Sequence, residues 1–460
     1  MIKILKYLII IALVFEVNAQ NQEPPKNILF IMVDDLRPEL KVYNKNYIKS
    51  PNIDRLASEG VTFNRAYCNV PVCGASRASL LSGIRPTEDR FLNYYSSINE
   101  AGPEAINIVD YFNQRGYVTI SNNKITHLKN DIKSWDEEWY PQDLSWRNYQ
   151  DPVNRALNAN KKPAAAYEKL DVDDSVYFDS QTAEKSIRDL KKLKNSSTPF
   201  FLAVGFVKPH LPFTAPKKYW DLYDRNQISL PKNHKFPESA PLIANHKWGE
   251  LRHYKDIPKK GPIPEDLAIT LIHAYYASVS YVDSQIGKLI SALDELGLRE
   301  KTVIVLVGDH GWSLSDHGLW AKHSNFEVAL RVPLIISSPE FEKNKKTNSV
   351  AELIDLYPTL CELSSGEKPK HLQGNSLVKS MSFPSKIFKT HALSRWQKGD
   401  TFIKDKLFYT EWNLPNRKIK MLYDHSVDPS ETINLANLTR YNDIVNSLGI
   451  ELKQFKKSFK

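Results

Sequence analysis

Two pairs of ligand-type residues stand at the ends of apolar runs. Asp34-Asp35 follows the run 27–33, and Asp309-His310 follows the run 302–307. Adjacent carboxylates at the end of a buried strand repel each other and resist desolvation, so they favour a nearby cation. Three carboxylates and an imidazole suit a hard divalent ion, calcium or magnesium, although imidazole is the less usual partner for calcium. Each pair taken alone fits a solvated turn or a helix cap equally well. Between them in sequence lies Cys73, at the start of a predicted helix, with Arg77 four residues on. The helix dipole and the free N–H groups there favour a thiolate or a bound anion. A lone cysteine is as readily an inert packing residue. Lys124, His127, His210 and Lys322 also lie close after apolar runs. Such residues bind anions or move protons when they converge, and are ordinary surface groups when they do not.

The elements that must position these residues are legible as patterns. The runs 27–33, 117–120, 199–205, 302–307 and 332–336 are short and continuously apolar. They read as strands buried on both faces, which is the signature of a parallel sheet. Helical periodicity occupies 51–58, 106–115, 182–193 and 267–296 between them. Strands alternating with helices predict an α/β fold with a large, mainly parallel sheet. Every polar cluster falls after a strand, where open α/β sheets bind ligands. Residues 130–175 and 214–264 are irregular and read as cleft-shaping loops. From about residue 380 the texture changes. Residues 401–412 and 419–423 read as antiparallel strands, followed by a loop and a lysine-rich final helix.

The 460 residues exceed one small core and predict a large domain with a smaller one. Residues 1–19 have a basic start, an apolar centre and small residues before Gln20, the pattern of a secretory signal peptide. The expected organisation is therefore a signal at 1–19, a catalytic domain at 20–380 and a C-terminal subdomain at 381–460. No further stretch is apolar and long enough to span a membrane, so no stable membrane anchor is expected. Three cysteines, Cys68, Cys73 and Cys361, are too few for a disulfide scaffold. Cys68 and Cys361 are left as a pair that nothing in the sequence brings together. The net charge of +9 is compatible with a polyanionic substrate. No basic run interleaved with aromatics indicates nucleic acid.

The stretch Cys73-Gly74-Ala75-Ser76-Arg77, a Cys-x-Ala-x-Arg pattern, resembles the signature of type I sulfatases. The resemblance covers most of the chain from residue 26. It is strongest to the iduronate-2-sulfatase-like branch, through Val33-Asp34-Asp35-Leu36-Arg37-Pro38, Lys208-Pro209-His210, Asp309-His310-Gly311-Trp312 and Trp320-Ala321-Lys322. It implies an alkaline-phosphatase-like fold and a sulfuric ester hydrolase. It implies that Cys73 is converted to formylglycine, whose hydrate is the nucleophile, by a maturation enzyme that is a required partner. It implies a metal site of Asp34, Asp35, residue 73, Asp309 and His310, most commonly holding calcium. Arg77 and Lys124 would neutralise charge at the nucleophile. Lys124, His210 and Lys322 would bind the sulfate, His210 would protonate the leaving alcohol, and His127 would act as base. His317 and His323 are weaker candidates, and Asp89, Arg90 and Trp396 are guesses for a sugar subsite. Ala75 stands where most members of the family have proline, which leaves recognition by the maturation enzyme as a separate question. The implied substrate is a sulfated uronic-acid-containing polysaccharide, with algal ulvan preferred to a glycosaminoglycan, handled by a periplasmic or secreted enzyme. The alternatives are a phosphomonoester or phosphonate hydrolase of the same superfamily, and a catalytically dead binder of sulfated glycans.

Overall fold

The computed structural model describes residues 25–141, 146–247 and 249–459. The predicted signal peptide lies outside them. Among the described residues, one large sheet contains strands β1 (Asn27–Val33), β2 (Val61–Tyr67), β3 (Val118–Asn123), β4 (Glu137–Trp139), β5 (Phe200–Phe206), β6 (Thr302–Gly308), β7 (Arg331–Val332), β8 (Leu334–Ser337) and β9 (Lys345–Glu352). The spatial order is β9-β2-β8-β6-β1-β5-β3-β4, with the short β7 continuing β8 along the same edge of β2. The pairs β6-β1, β1-β5, β5-β3, β3-β4 and β9-β2 are parallel; β8 is antiparallel to both β2 and β6. The expected mainly parallel α/β sheet is present.

Both faces of the sheet are covered, as the continuous apolar strands require. In β1, Leu29, Ile31 and Val33 pack into one core, with helices α1 (Pro51–Ser58), α3 (Phe178–Leu193) and α4 (Glu265–Glu295). Ile28, Phe30 and Met32 point into the other, with Leu80 and Leu81 of helix α2 (Cys73–Ser82). This alternation is the period of two that a strand imposes.

Register places the chemistry. Val33 lies opposite both Phe206 and Gly308, so β1, β5 and β6 end together. Asn123 at the end of β3 lies opposite Gly205. Asp34-Asp35, Lys124, His210 and Asp309-His310 therefore leave the sheet at one edge, the C-terminal edge of its parallel strands.

Beyond the large sheet, β10 (His391–Trp396), β11 (Gly399–Lys404), β12 (Leu407–Leu414) and β13 (Arg417–Asp424) form an antiparallel meander. Helix α5 (Asn442–Lys457) covers it through Val445, Leu448 and Leu452. Several expectations need correction. The run 401–412 is a hairpin rather than one strand. Its turn sits at Asp405, in the left-handed region at φ 50°, which a short polar side chain tolerates. The run 332–336 is broken at Pro333, which has no N–H for the ladder. Residues 214–264 are not wholly irregular. A strand at Phe213–Pro216 pairs with Tyr167–Leu170, and a helical turn follows at Lys217–Trp220. Cys68 and Cys361 are buried free thiols, not a pair.

Candidate active site

Helix α2 brings Cys73 to the strand edge. Val72, its N-cap residue, has extended backbone angles and provides no side-chain cap, so the first turn opens directly onto the acidic strand ends. All ten residues of α2 are buried. Gly74 is required there, because a Cβ would sit 2.3 Å from the Tyr94 carbonyl oxygen. The Cys73 Sγ lies 3.1 Å from His310 Nε2 and 4.0 Å from Asp35 Oδ1. Ligand atoms of Asp34, Asp35, Cys73 and His310 all fall within 4.8 Å of one another, and all four residues are buried.

Asp309 sits just outside that set. Its Oδ1 accepts from the backbone N–H groups of Asp35 and His310, each at 3.0 Å, and its Oδ2 accepts from Arg77 Nε at 3.0 Å. Arg77 is fully buried. It also donates to Asp34 Oδ1 at 2.9 Å and to the carbonyls of Ile125 and Lys124. Lys124 Nζ reaches Asp34 Oδ2 at 3.0 Å. Burial opposes ionisation of Asp34, but Lys124 and Arg77 outweigh it and hold this carboxyl well below the usual range. Asp35 differs. Burial drives its carboxyl up to about 7, with Lys322 pulling it down and the Asp34 charge adding to the rise.

The donor set fits a hard cation. Two buried adjacent carboxylates, one of them reluctant to ionise, converge with an imidazole on a single point. Each carboxylate has lone pairs to spare beyond its lysine or arginine partner.

The cysteine departs from the thiolate expectation. Burial, then the negative charge of Asp34, push the Cys73 thiol well above its ordinary range. The helix dipole is outweighed by desolvation and three nearby carboxylates.

The opposite wall holds Lys322, His210 and Glu250. Lys322 Nζ donates to Asp35 Oδ1 at 3.1 Å and to Glu250 at 3.0 Å, and lies 4.9 Å over the Trp312 ring. His210 Nε2 is 3.0 Å from Glu250 Oε1 and 3.9 Å from Asp35 Oδ2. Its Nδ1 faces the Leu211 carbonyl at 2.5 Å. Lys208 stiffens this loop by donating to the carbonyls of His210 and Pro212. Glu250 was not anticipated from the sequence. It stands alone in the proline-rich stretch 214–264, where no periodicity or neighbouring motif marks it. His127 lies under Tyr94, with its Nδ1 buried and without a hydrogen-bond partner among the described residues. Burial, reinforced by the positive charge of Lys124, lowers its pKa to about 3, so it stays neutral.

The remaining candidates sit apart from the donor cluster. His317 stacks on Phe326 at 4.1 Å and faces Ser430 and Glu431. His323 packs against Trp396 at 5.1 Å. Asp89 accepts from Thr87 at the surface, and Arg90 donates to the Arg85 carbonyl. A cavity of about 780 Å³ opens beside Arg37, Tyr276 and Asp316 and contains none of the clustered donors.

Comparison with known proteins agrees with this geometry. The Sulfatase family profile matches residues 26–366, and the profile for the C-terminal region of N-sulphoglucosamine sulphohydrolase matches residues 315–458. Mouse (Mus musculus) iduronate 2-sulfatase is 37% identical over 380 residues, which cover 74% of this chain and 68% of that protein. A solved structure in complex with its substrate D-glucosamine-2-N,6-O-disulfate superposes with a TM-score of 0.75 at 20% identity, covering 95% of this chain and 98% of the other. The phosphonate monoester hydrolase of Agrobacterium radiobacter superposes at 0.79 with 19% identity, covering 95% and 96%. With a matched profile over most of its length and a curated relative at this identity, the chain belongs to the Sulfatase family and is a sulfuric ester hydrolase.

Proposed function

We propose that this protein removes sulfate from a sulfated uronic-acid-containing glycan, using formylglycine made from Cys73 and one divalent cation, calcium in the first instance. The observation that carries the reading is the position of Cys73. Its side chain points into the donor cluster with Asp34, Asp35 and His310, in surroundings that suppress a thiolate. A hydroxyl-bearing residue 73 would be compatible with those surroundings where a thiolate is not. Formylglycine, once hydrated, would supply one hydroxyl to attack sulfur and a second whose deprotonation releases sulfate. A cation held by Asp34, Asp35, Asp309, His310 and residue 73 would lower the pKa of that hydroxyl and neutralise a sulfate oxygen.

The chain's own residues supply the rest. Arg77 and Lys124 fix the Asp34 carboxylate and keep it ionised. Lys322 and His210, on the opposite wall, are placed to hold sulfate oxygens, with Lys124 across from them. His210 is assigned to deliver the proton from Nε2 to the leaving sugar oxygen. His127, neutral and with a bare Nδ1, is assigned to accept a proton at residue 73.

Relatives named for iduronate sulfate and for a disulfated glucosamine support a glycan substrate. Ulvan is our first candidate polymer and a glycosaminoglycan the second. The resemblance to phosphonate monoester hydrolases is one of fold, and the 37% identity to iduronate 2-sulfatase favours sulfate. We also propose export to the periplasm or beyond. Among the described residues no helix is long and apolar enough to cross a membrane.

The test is sulfate release from defined sulfated oligosaccharides of both polymers, with Cys73→Ala as control and mass spectrometry of the Cys73 peptide. Release that disappears in the variant, with an aldehyde at residue 73, is expected. A native protein carrying only thiol at residue 73, or releasing phosphate but no sulfate, overturns the reading.

A further inference from the structure

The segment that delivers Glu250 to the catalytic wall also builds a second cleft. A cavity of about 750 Å³ is lined by His234, Lys247, Arg252, Lys259 and Lys260, and none of its lining residues carries a carboxylate. Such single-sign lining concentrates the potential for anions. Leu242, largely exposed, and Phe236 add apolar surface, which suits the hydrophobic face of a sugar ring.

The cleft is held in shape rather than left to chance. The Arg252 guanidinium donates to the carbonyls of Lys247 at 3.2 Å and Gly261 at 2.6 Å, and also to that of Pro258. It thus ties the two ends of the loop together. Lys259 donates to the carbonyls of Arg252 and Tyr254. Leu251, Tyr254 and Ile257 anchor the loop in the core beneath α4. Lys247 and Lys260 are exposed, and among the described residues neither has an ion-pair partner. A preorganised loop loses little entropy when a ligand arrives.

The cleft is next to the catalytic centre. His246 lines it, and its ring faces that of His323, the residue after Lys322, at 6.1 Å. Trp320 lines it too, two residues before Lys322.

We propose that this cleft is a second anion subsite, which binds a sulfate or carboxylate group on the sugar adjoining the one being desulfated. The proposal rests on the glycan sulfatase reading above. It makes the enzyme selective for oligomers over single sugars. It assigns Lys247 and Lys260 as the residues that confer this.

The test is calorimetric binding on the full-length Cys73→Ala chain. The probes are a sulfated monosaccharide, a tetrasaccharide with a sulfate on the neighbouring sugar, and one with a uronate there. The expected results are tighter tetrasaccharide binding and a loss of about tenfold on adding K247Q and K260Q, as for two solvent-exposed charge contacts. That loss exceeds any loss for the monosaccharide, shrinks with added salt, and is largely restored by arginine at both positions. Dependence on one tetrasaccharide alone identifies the anion. Equal losses for all three probes, or no loss, overturn the proposal. Lysine-dependent binding by a protein whose native form releases no sulfate overturns the sulfatase reading and leaves the cleft standing.

Discussion

Arg77 joins two carboxylates that belong to different strands, Asp34 after β1 and Asp309 after β6. Removing one member of a buried ion network leaves charges uncompensated, which costs about 3–5 kcal/mol. Arg77→Met is therefore expected to lower the unfolding free energy by that amount in urea titrations and to abolish sulfate release. A loss under about 1 kcal/mol would show that the carboxylates are held by other means. A second prediction concerns pH. Burial depresses the pKa of His323 to about 3, whereas the unfolded chain titrates near its ordinary 6.5. Between these values the unfolded state binds the extra proton, so this contribution to stability falls as pH falls. Asp179 and Asp283, raised by burial to about 6, act in the opposite sense, so the comparison must be made against a variant. The stability of the native chain relative to His323→Gln should drop by about 1–2 kcal/mol from pH 7 to pH 5. A difference constant across that range would mean that His323 is as protonated folded as unfolded.

At the level of elements, the close approach of β5 to the chain after β3 fixes Lys124. A Cβ on Gly205 would fall 2.1 Å from the Lys124 backbone carbon and oxygen. Gly205→Ala should cost about 1–3 kcal/mol, the usual penalty of overpacking, and reduce kcat by displacing Lys124 from Asp34. Thermal melts and steady-state kinetics would check both, and an unchanged Tm would refute the steric argument. The strands that carry the donors were legible in the sequence because burial on both faces leaves an unbroken apolar run, as in 27–33, 199–205 and 302–307. The residues after those runs followed from the rule that ligands gather at strand ends. Glu250 was not legible, because its partners Lys322 and His210 are distant in sequence and its own segment has no period. The hairpin at Asp405 was not legible because both arms mix apolar and polar residues and the turn between them is only two residues long. The basic cleft was invisible for a similar reason, since His234 and Lys247–Lys260 meet only after the loop folds back on Arg252.

For the whole molecule, the units at 20–380 and 381–460 that we propose are joined through a buried charge. Glu352, at the end of β9, accepts from Arg85 Nη2 at 2.6 Å, Asn69 Nδ2 at 3.0 Å, the Leu393 backbone at 2.9 Å and Lys389 Nζ at 2.7 Å. Burial disfavours its ionised form, but Arg85 and Lys389 hold the carboxyl far below the usual range. Glu352→Ala should destabilise the protein by about 3–5 kcal/mol and bring the meander β10–β13 loose before the large sheet. Hydrogen exchange that protects both sheets equally in the variant would argue against such a joint. The burial of Cys73, at 2% exposure, carries a consequence in time rather than in space. If Cys73 is oxidised as we propose, the modifying enzyme would have to meet it while the polypeptide is still extended, before helix α2 docks against Asp309 and Arg77 closes behind it. On that proposal folding and modification compete for each newly made molecule, and one that folds first would keep its thiol until it is unfolded again.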